Sequence, residues 1–237
     1  MNASLIQLPC PQQAQLIIQE TKRMSPNDST QTNPIQLTET LVLDEGDRVI
    51  IREDLVAPIG DPAVQIAGDE ARLTVSGQGS LSAPDAGNSA VEVVGNEAEV
   101  INRGSISGAL NGITAIGDGL TVRNSGHIES DSRVVDLSDG DGSLFRNTGT
   151  LLGTGNQRNG TLYVDGTVDD LRVENTRSGV IDAGEGNLGD GISVQVGAAG
   201  DPSNEGINLV NTGLVQGRGD GPDVFADGAR VAANGSS

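Results

Sequence analysis

Val122-Arg123-Asn124-Ser125-Gly126-His127-Ile128 is the stretch on which the fold turns. It reads apolar, any, Asn, any, Gly, any, apolar. The same grammar returns in Val100-Ile101-Asn102-Arg103-Gly104-Ser105-Ile106, Phe145-Arg146-Asn147-Thr148-Gly149-Thr150-Leu151 and Leu209-Val210-Asn211-Thr212-Gly213-Leu214-Val215. A looser copy starts Val173-Glu174-Asn175 and displaces its glycine by two residues, to Gly179. An earlier relative, Val75-Ser76-Gly77-Gln78-Gly79-Ser80-Leu81, is read with Gly77 at the Asn position. From Asn102 through Asn124, Asn147 and Asn175 to Asn211 the gaps are 22, 23, 28 and 36 residues. A repeat of this length marks a solenoid, here a parallel β-helix. The longer gaps read as insertions into one loop, and residues 197–206 have the Gly, Pro, Asp and Asn content of such a loop.

A second piece recurs between the Asn motifs. It is a short apolar alternation that ends in a Gly-rich or Asp-rich turn, as in Val91-Glu92-Val93-Val94-Gly95 and Ile113-Thr114-Ala115-Ile116-Gly117. Period-2 alternation over so few residues predicts a strand with one buried face. Each turn therefore carries at least two short strands.

Alternate residues of a strand share one side, so Asn124 lies on the same side as Val122. A lone inward carboxamide would be costly. Asn residues stacked in register remove the cost, because each donates to one neighbour and accepts from the other. Asn tolerates left-handed backbone angles, and the Gly two residues on permits the same bend, so the motif is read as strand, corner, strand. The predicted ladder is Asn102, Asn124, Asn147, Asn175 and Asn211.

Composition agrees. The 237 residues include 34 Gly, no Trp, one Tyr and two Phe. A globular core of this size uses more aromatics, whereas a narrow stack of Val, Ile, Leu and Ala does not need them. Net charge is −19, and Lys22 is the one Lys among 14 basic residues. That sign argues against nucleic acid as a partner and against an anionic membrane. No stretch is long enough to span a bilayer. The start, Met1 to Gln13, lacks the basic and apolar regions of a secretory signal. Cys10 is alone, so no disulfide framework is expected.

The fold class expected is all-β: a single-domain parallel β-helix, or β-solenoid, of about eight turns of roughly 22–25 residues with an N-terminal cap. Residues 1–34 are assigned to the cap, in which Gln12 to Arg23 read either as a short amphipathic helix or as a strand through Gln15-Leu16-Ile17-Ile18. Residues 35–237 are assigned to the β-helix, with its first full turn at Leu41 to Ile51. At the far end Val231-Ala232-Ala233-Asn234-Gly235 reads as another Asn motif with no cap after it, which suggests a truncated or partner-covered end.

Chemistry is sparse. Glycosidase action needs two carboxylates facing one sugar across a fixed gap. Asp136, Asp139, Asp141, Asp165, Asp169, Asp170 and Asp190 are the acids weighed, and most sit in Gly-flanked turns where Asp serves as a turn former. His127, the one histidine, is expected to face solvent. No P-loop, dinucleotide fingerprint, zinc spacing or β-roll calcium nonapeptide occurs. No cofactor is expected, and calcium at the Asp-Gly turns is the one cation the composition suggests.

Asn124-Ser125-Gly126-His127-Ile128 and Asn111-Gly112-Ile113-Thr114-Ala115-Ile116-Gly117 resemble the repeats of bacterial β-helical surface proteins, the autotransporter passenger domains and large secreted adhesins. The resemblance covers roughly residues 60–235 and implies a cell-surface or secreted location, associated with the bacterial outer membrane. It implies a non-enzymatic stalk or adhesive segment whose flat sides make multivalent contacts with a host or matrix glycan or protein, or with other copies of itself. Asp201, Asn204 and Glu205, in the inserted loop, are the candidate binding residues. The alternatives are a polysaccharide-active β-helix enzyme or tail-spike-like protein, and a self-assembling fibre subunit.

Overall fold

The computed structural model describes residues 15–18, 34–138, 140–155, 160–165, 169–184, 191–196, 207–217 and 229–233. Every regular element among them is a β-strand. The chain winds in coils of three strands. The first coil is β1 (Gln15–Ile18), β2 (Ile35–Gln36) and β3 (Leu41–Leu43), and the second is β4 (Arg48–Ile51), β5 (Asp54–Val56) and β6 (Val64–Ile66). Then come β7 (Arg72–Val75), β8 (Ser80–Ala83) and β9 (Val91–Val93), followed by β10 (Glu99–Asn102), β11 (Ser105–Gly108) and β12 (Ile113–Ala115). The middle of the stack is β13 (Thr121–Asn124), β14 (His127–Ser130), β15 (Val135–Ser138), β16 (Leu144–Asn147), β17 (Thr150–Gly153) and β18 (Leu162–Asp165). It ends with β19 (Arg172–Asn175), β20 (Val180–Asp182), β21 (Ile192–Val196), β22 (Asn208–Asn211), β23 (Leu214–Gln216) and β24 (Ala229–Ala233).

Strands three apart in sequence pair in parallel, giving three eight-stranded sheets. The first sheet runs β1 to β22, the second β2 to β23 and the third β3 to β24. The predicted β-solenoid is the fold. Strands stack about 4.8 Å apart, so the eight levels extend roughly 35 Å. β1 pairs with β4, Leu16 opposite Val49, so Gln15–Ile18 is a strand. The stack starts before residue 41, and the turn count differs slightly from the eight predicted from there. The remainder of the predicted cap lies outside the described residues.

The inner positions form vertical columns. In the first sheet Val49, Leu73, Val100, Val122, Phe145 and Val173 lie one over another, all buried. In the second sheet Leu55, Leu81, Ile106, Ile128, Leu151 and Ile181 do the same. Each such side chain contributes about 1.5–3 kcal/mol through burial. Phe145 is the largest fully buried side chain, and it fits because its column neighbours Val122 and Val173 are small.

Several sequence readings need correction. Register places Val75, not Gly77, opposite Asn102. The corner after Val75 is simply two residues longer, like the one after Asn175. The extra residues in the longer gaps are not confined to one loop. Between Asn175 and Asn211 all three connections lengthen: 176–179, 183–191 and 197–207. Val231 pairs with Val194 in the third sheet, so Val231-Ala232-Ala233 belongs to the alternating strand piece and not to an Asn motif.

The corner glycines of the Asn motif serve close approach and not a left-handed bend. Gly104, Gly126 and Gly149 are not among the residues with positive φ. They are needed for close approach instead: a Cβ on Gly126 would overlap the Gly104 carbonyl oxygen, and one on Gly149 would overlap that of Gly126. Left-handed backbone stacks at a different corner, between the third and first sheets, at Gly46, Glu70, Glu97, Gly119, Gly142 and Asp170. The two requirements separate experimentally. Gly126→Ala should lose about 3 kcal/mol or more in denaturant unfolding, because backbone must move. Gly142→Ala, with φ +64° and open space around it, should lose only about 1 kcal/mol.

Candidate functional site

Polar side chains are organised by the same stacking, in two ladders and three outer faces. The inner ladder occupies the last position of the first sheet's strands. Asn102 Nδ2 donates to Asn124 Oδ1 at 2.8 Å, Asn124 to Asn147 at 2.8 Å, Asn147 to Asn175 at 2.9 Å and Asn175 to Asn211 at 2.9 Å. Each second amide hydrogen goes to a carbonyl of the next coil, as from Asn124 to Thr150 at 3.2 Å. The Oδ1 of Asn102, Asn124, Asn147 and Asn211 also accepts the N–H of the corner glycine, as from Gly126 to Asn124 at 3.2 Å, whereas at the longer corner after Asn175 Gly179 donates to Thr176 O. Asn124 is thus saturated, with two donors used and two bonds accepted. That is why Asn102, Asn124, Asn147 and Asn175 can lie at 0–1% exposure. Above Asn102 the same column is apolar, Ile51 and Val75.

A second ladder runs up the corner before the first sheet, and sequence reasoning missed it. Asp69 Oδ1 accepts the N–H of Asn96 at 2.7 Å, Asn96 that of Asp118 at 3.0 Å, Asp118 that of Asp141 at 3.1 Å and Asp141 that of Asp169 at 2.8 Å. The next residue in each coil takes the left-handed turn and donates its N–H to the ladder residue of the following coil, as Glu97 does to Asp118 O at 2.7 Å. The signal was present as Gly-Asp or Gly-Asn in Gly68-Asp69, Gly95-Asn96, Gly117-Asp118 and Gly140-Asp141. Reading these residues as turn formers captured their local role and hid their pairing across coils.

Of the acids weighed for catalysis, Asp141, Asp169 and Asp170 come together at one corner of adjacent coils, and Asp136 stands apart on the third sheet. Asp141 and Asp169 belong to the outer ladder, and Asp170 has a left-handed φ of 54° beside it. Asp136 sits on the third sheet's outer side, nearly buried, with its Oδ2 2.8 Å from Arg133 Nη1. The Arg133 guanidinium lies 3.5 Å from the Tyr163 ring centroid, a cation–π contact. Asp165 ends β18, while Asp139 and Asp190 lie outside the described residues. His127 faces outward on the second sheet, its Nε2 3.1 Å from Glu129 Oε2. The candidate loop residues Asp201, Asn204 and Glu205 also lie outside the described residues, in the connection between β21 and β22. Among the described residues no three His, Cys, Asp or Glu side chains converge as a metal site.

The outer faces differ in chemistry. The second sheet presents hydroxyls, with Ser80, Ser105 and Thr150 around His127. The third presents Gln65, Glu92, Thr114 and Asp136. The first presents arginine: Arg48, Arg72, Arg123, Arg146 and Arg172 alternate with the buried column.

The fold and these columns define a three-sided parallel β-solenoid whose Asn column and corner Asp/Asn column are used in stacking. No family model matches the chain, and no curated protein and no solved structure matches it.

Truncating the inner ladder removes an acceptor from Asn102 and from the Gly126 N–H, so Asn124→Ala should cost about 3 kcal/mol in urea unfolding. Asn124→Asp should cost more at neutral pH, since a carboxylate cannot donate to Asn147 Oδ1 or Thr150 O. The exposed corner ladder needs only an acceptor. Asp118→Asn should stay within about 0.5 kcal/mol of the parent, and Asp118→Ala should lose about 1 kcal/mol.

Proposed function

We propose that this chain is a non-enzymatic stalk or adhesive segment of a secreted or surface-exposed bacterial protein, and that it binds through many weak contacts along its sides. The observation that carries this reading is the register. Parallel pairing holds equivalent outward residues at one-coil spacing on each face. A face is thus a linear array of outward side chains one coil apart, and an extended ligand laid along it engages several of them at once. Linked contacts of this kind raise overall affinity far beyond any single one. The extracellular setting is supported by the acidic, Lys-poor composition and by the resemblance of the Asn-x-Gly repeat to surface solenoids.

The outer ladder supports the non-enzymatic reading in a second way. Asp118, Asp141 and Asp169 each take part in a coil-to-coil hydrogen bond, and they stand in a single line along one corner. Two carboxylates working on one glycosidic bond must instead face each other across the sugar.

The test is direct. The full chain, immobilised at increasing density, is exposed to polysaccharide-coated and matrix-protein-coated beads, and the same preparations are assayed for soluble products. Bead retention that rises steeply with surface density, with no product released, is the expected result. Depolymerisation of an acidic polysaccharide that is lost in Asp169→Ala or Asp170→Ala would overturn this reading in favour of an enzyme.

A further inference from the structure

The charge of this chain is distributed unevenly, and the exception is the first sheet. The protein has 33 acidic and 14 basic residues. The outward strand positions of the first sheet nevertheless hold Arg48, Arg72, Arg123, Arg146 and Arg172 against two acids, Glu99 and Glu174. Exposed Arg103 adds to the row at the adjoining corner, and Arg52 and Arg177 extend it along that corner. Eight of the 14 basic residues thus line one side of the solenoid.

The two glutamates do not cancel this row; they orient it. Glu99 lies between two arginines, its Oε2 3.2 Å from Arg72 Nε and its Oε1 3.5 Å from Arg123 Nε. Glu174 does the same one level group further on, 3.6 Å from Arg146 Nε and 2.6 Å from Arg172 Nε. A contact through Nε leaves the two terminal Nη groups of each guanidinium to donate elsewhere. The four arginine side chains are 39–53% exposed. Between the two Arg-Glu-Arg groups lies a shallow groove of about 250 Å³, bordered by Arg103, Arg123, Arg146, Ser125 and Thr148, with Ile101 in its wall.

We infer that the first sheet's outer face binds an extended anionic polysaccharide, laid along the solenoid axis with its carboxylate or sulfate groups on successive arginines. This deepens the adhesive reading and rests on it. Charge complementarity selects an anion, and guanidinium selects one with planar or forked oxygen acceptors. The axial arrangement selects a polymer. Arg48 and Arg72 are register partners one coil apart, as are Arg123 and Arg146, at the strand spacing of about 4.8 Å; a saccharide unit in an extended chain is of similar length. Width selects a thin one: a four-residue strand spans only about 13 Å, and the acidic ladder of Asp69, Asp118, Asp141 and Asp169 flanks that strip. A nucleic-acid duplex is wider than the strip and would meet that acidic corner. Single-stranded nucleic acid binds through aromatic stacking platforms, and no aromatic side chain faces outward from this sheet's described strands. A protein partner would need a large apolar anchor at the centre, where Ile101 is only 7% exposed.

The full chain is tested by affinity electrophoresis and calorimetry against heparin, polygalacturonate and neutral dextran, with a poly-deoxythymidine oligomer as comparison. The inference predicts retention by at least one of the two anionic polysaccharides, none by dextran, and weakening as salt rises. The triple variant Arg103→Ser, Arg123→Ser, Arg146→Ser should bind about tenfold or more weakly. Its thermal midpoint and circular dichroism, measured alongside, show that the solenoid is intact. Arg123→Lys with Arg146→Lys keeps the charge and should retain part of the affinity. A folded triple variant that binds like the parent would overturn the inference, as would equal binding of dextran or tighter binding of the oligomer. Absence of any polysaccharide binding would also overturn it, while retention on protein-coated beads would leave the adhesive reading standing.

Discussion

Every feature of this molecule depends on one constraint: each coil must sit in register on the one before it. Parallel pairing fixes that register along all three sheets, Glu99 opposite Thr121, Ser105 opposite His127, Ile113 opposite Val135. Because the side-chain period of a strand is two, a slip of one residue would turn the whole apolar set outward. Three walls sharing one register reinforce each other. Residues far apart in sequence then become vertical neighbours, and the useful unit of description is the column rather than the strand.

Columns explain which residue types are tolerated where. An apolar column gains from burial at every level. A polar column inside the stack is tolerable only if each member is saturated by its neighbours, since an unpaired buried amide costs more than a paired one returns. Asn meets that condition because it carries a donor pair and an acceptor on one short side chain. All four inner bonds run in the same direction, from Nδ2 of one coil to Oδ1 of the next, so the amide dipoles align along the stack. The corner ladder uses a looser chemistry, in which a side-chain oxygen meets a backbone N–H, and there Asp and Asn serve equally. Glycine columns at the two corners let backbone approach backbone where any side chain would intrude.

Much of the architecture was legible in the sequence because columns leave a period. Asn102, Asn124 and Asn147 fall at near-constant spacing, and Val122 beside Asn124 shows which way the amide points. Where corners change length the period blurs. Gly77 falls at the Asn spacing, and only the pairing of Val75 with Asn102 reveals the two extra residues in that corner. The Asp ladder was harder to see, since Asp beside Gly has a sufficient local explanation as a turn. The arginine face was hidden by the average: a charge of −19 describes the chain and not its sides. Arg123 and Arg146 each stand next to a ladder Asn, in Val-Arg-Asn and Phe-Arg-Asn, so the alternation held the information.

The division of labour follows from the same columns. The Asn column and the corner ladder hold coils together, and the outward side chains of the three walls take no part in those two ladders. The most direct measurement of this account is amide nuclear magnetic resonance of the full chain, following the side-chain carboxamide protons of Asn124 and Asn147 during hydrogen–deuterium exchange. The saturated ladder predicts that both protons of each carboxamide persist as long as the backbone amides of β13 and β16. Carboxamide protons that exchange at the rate of exposed Asn side chains, while those backbone amides stay protected, would contradict it.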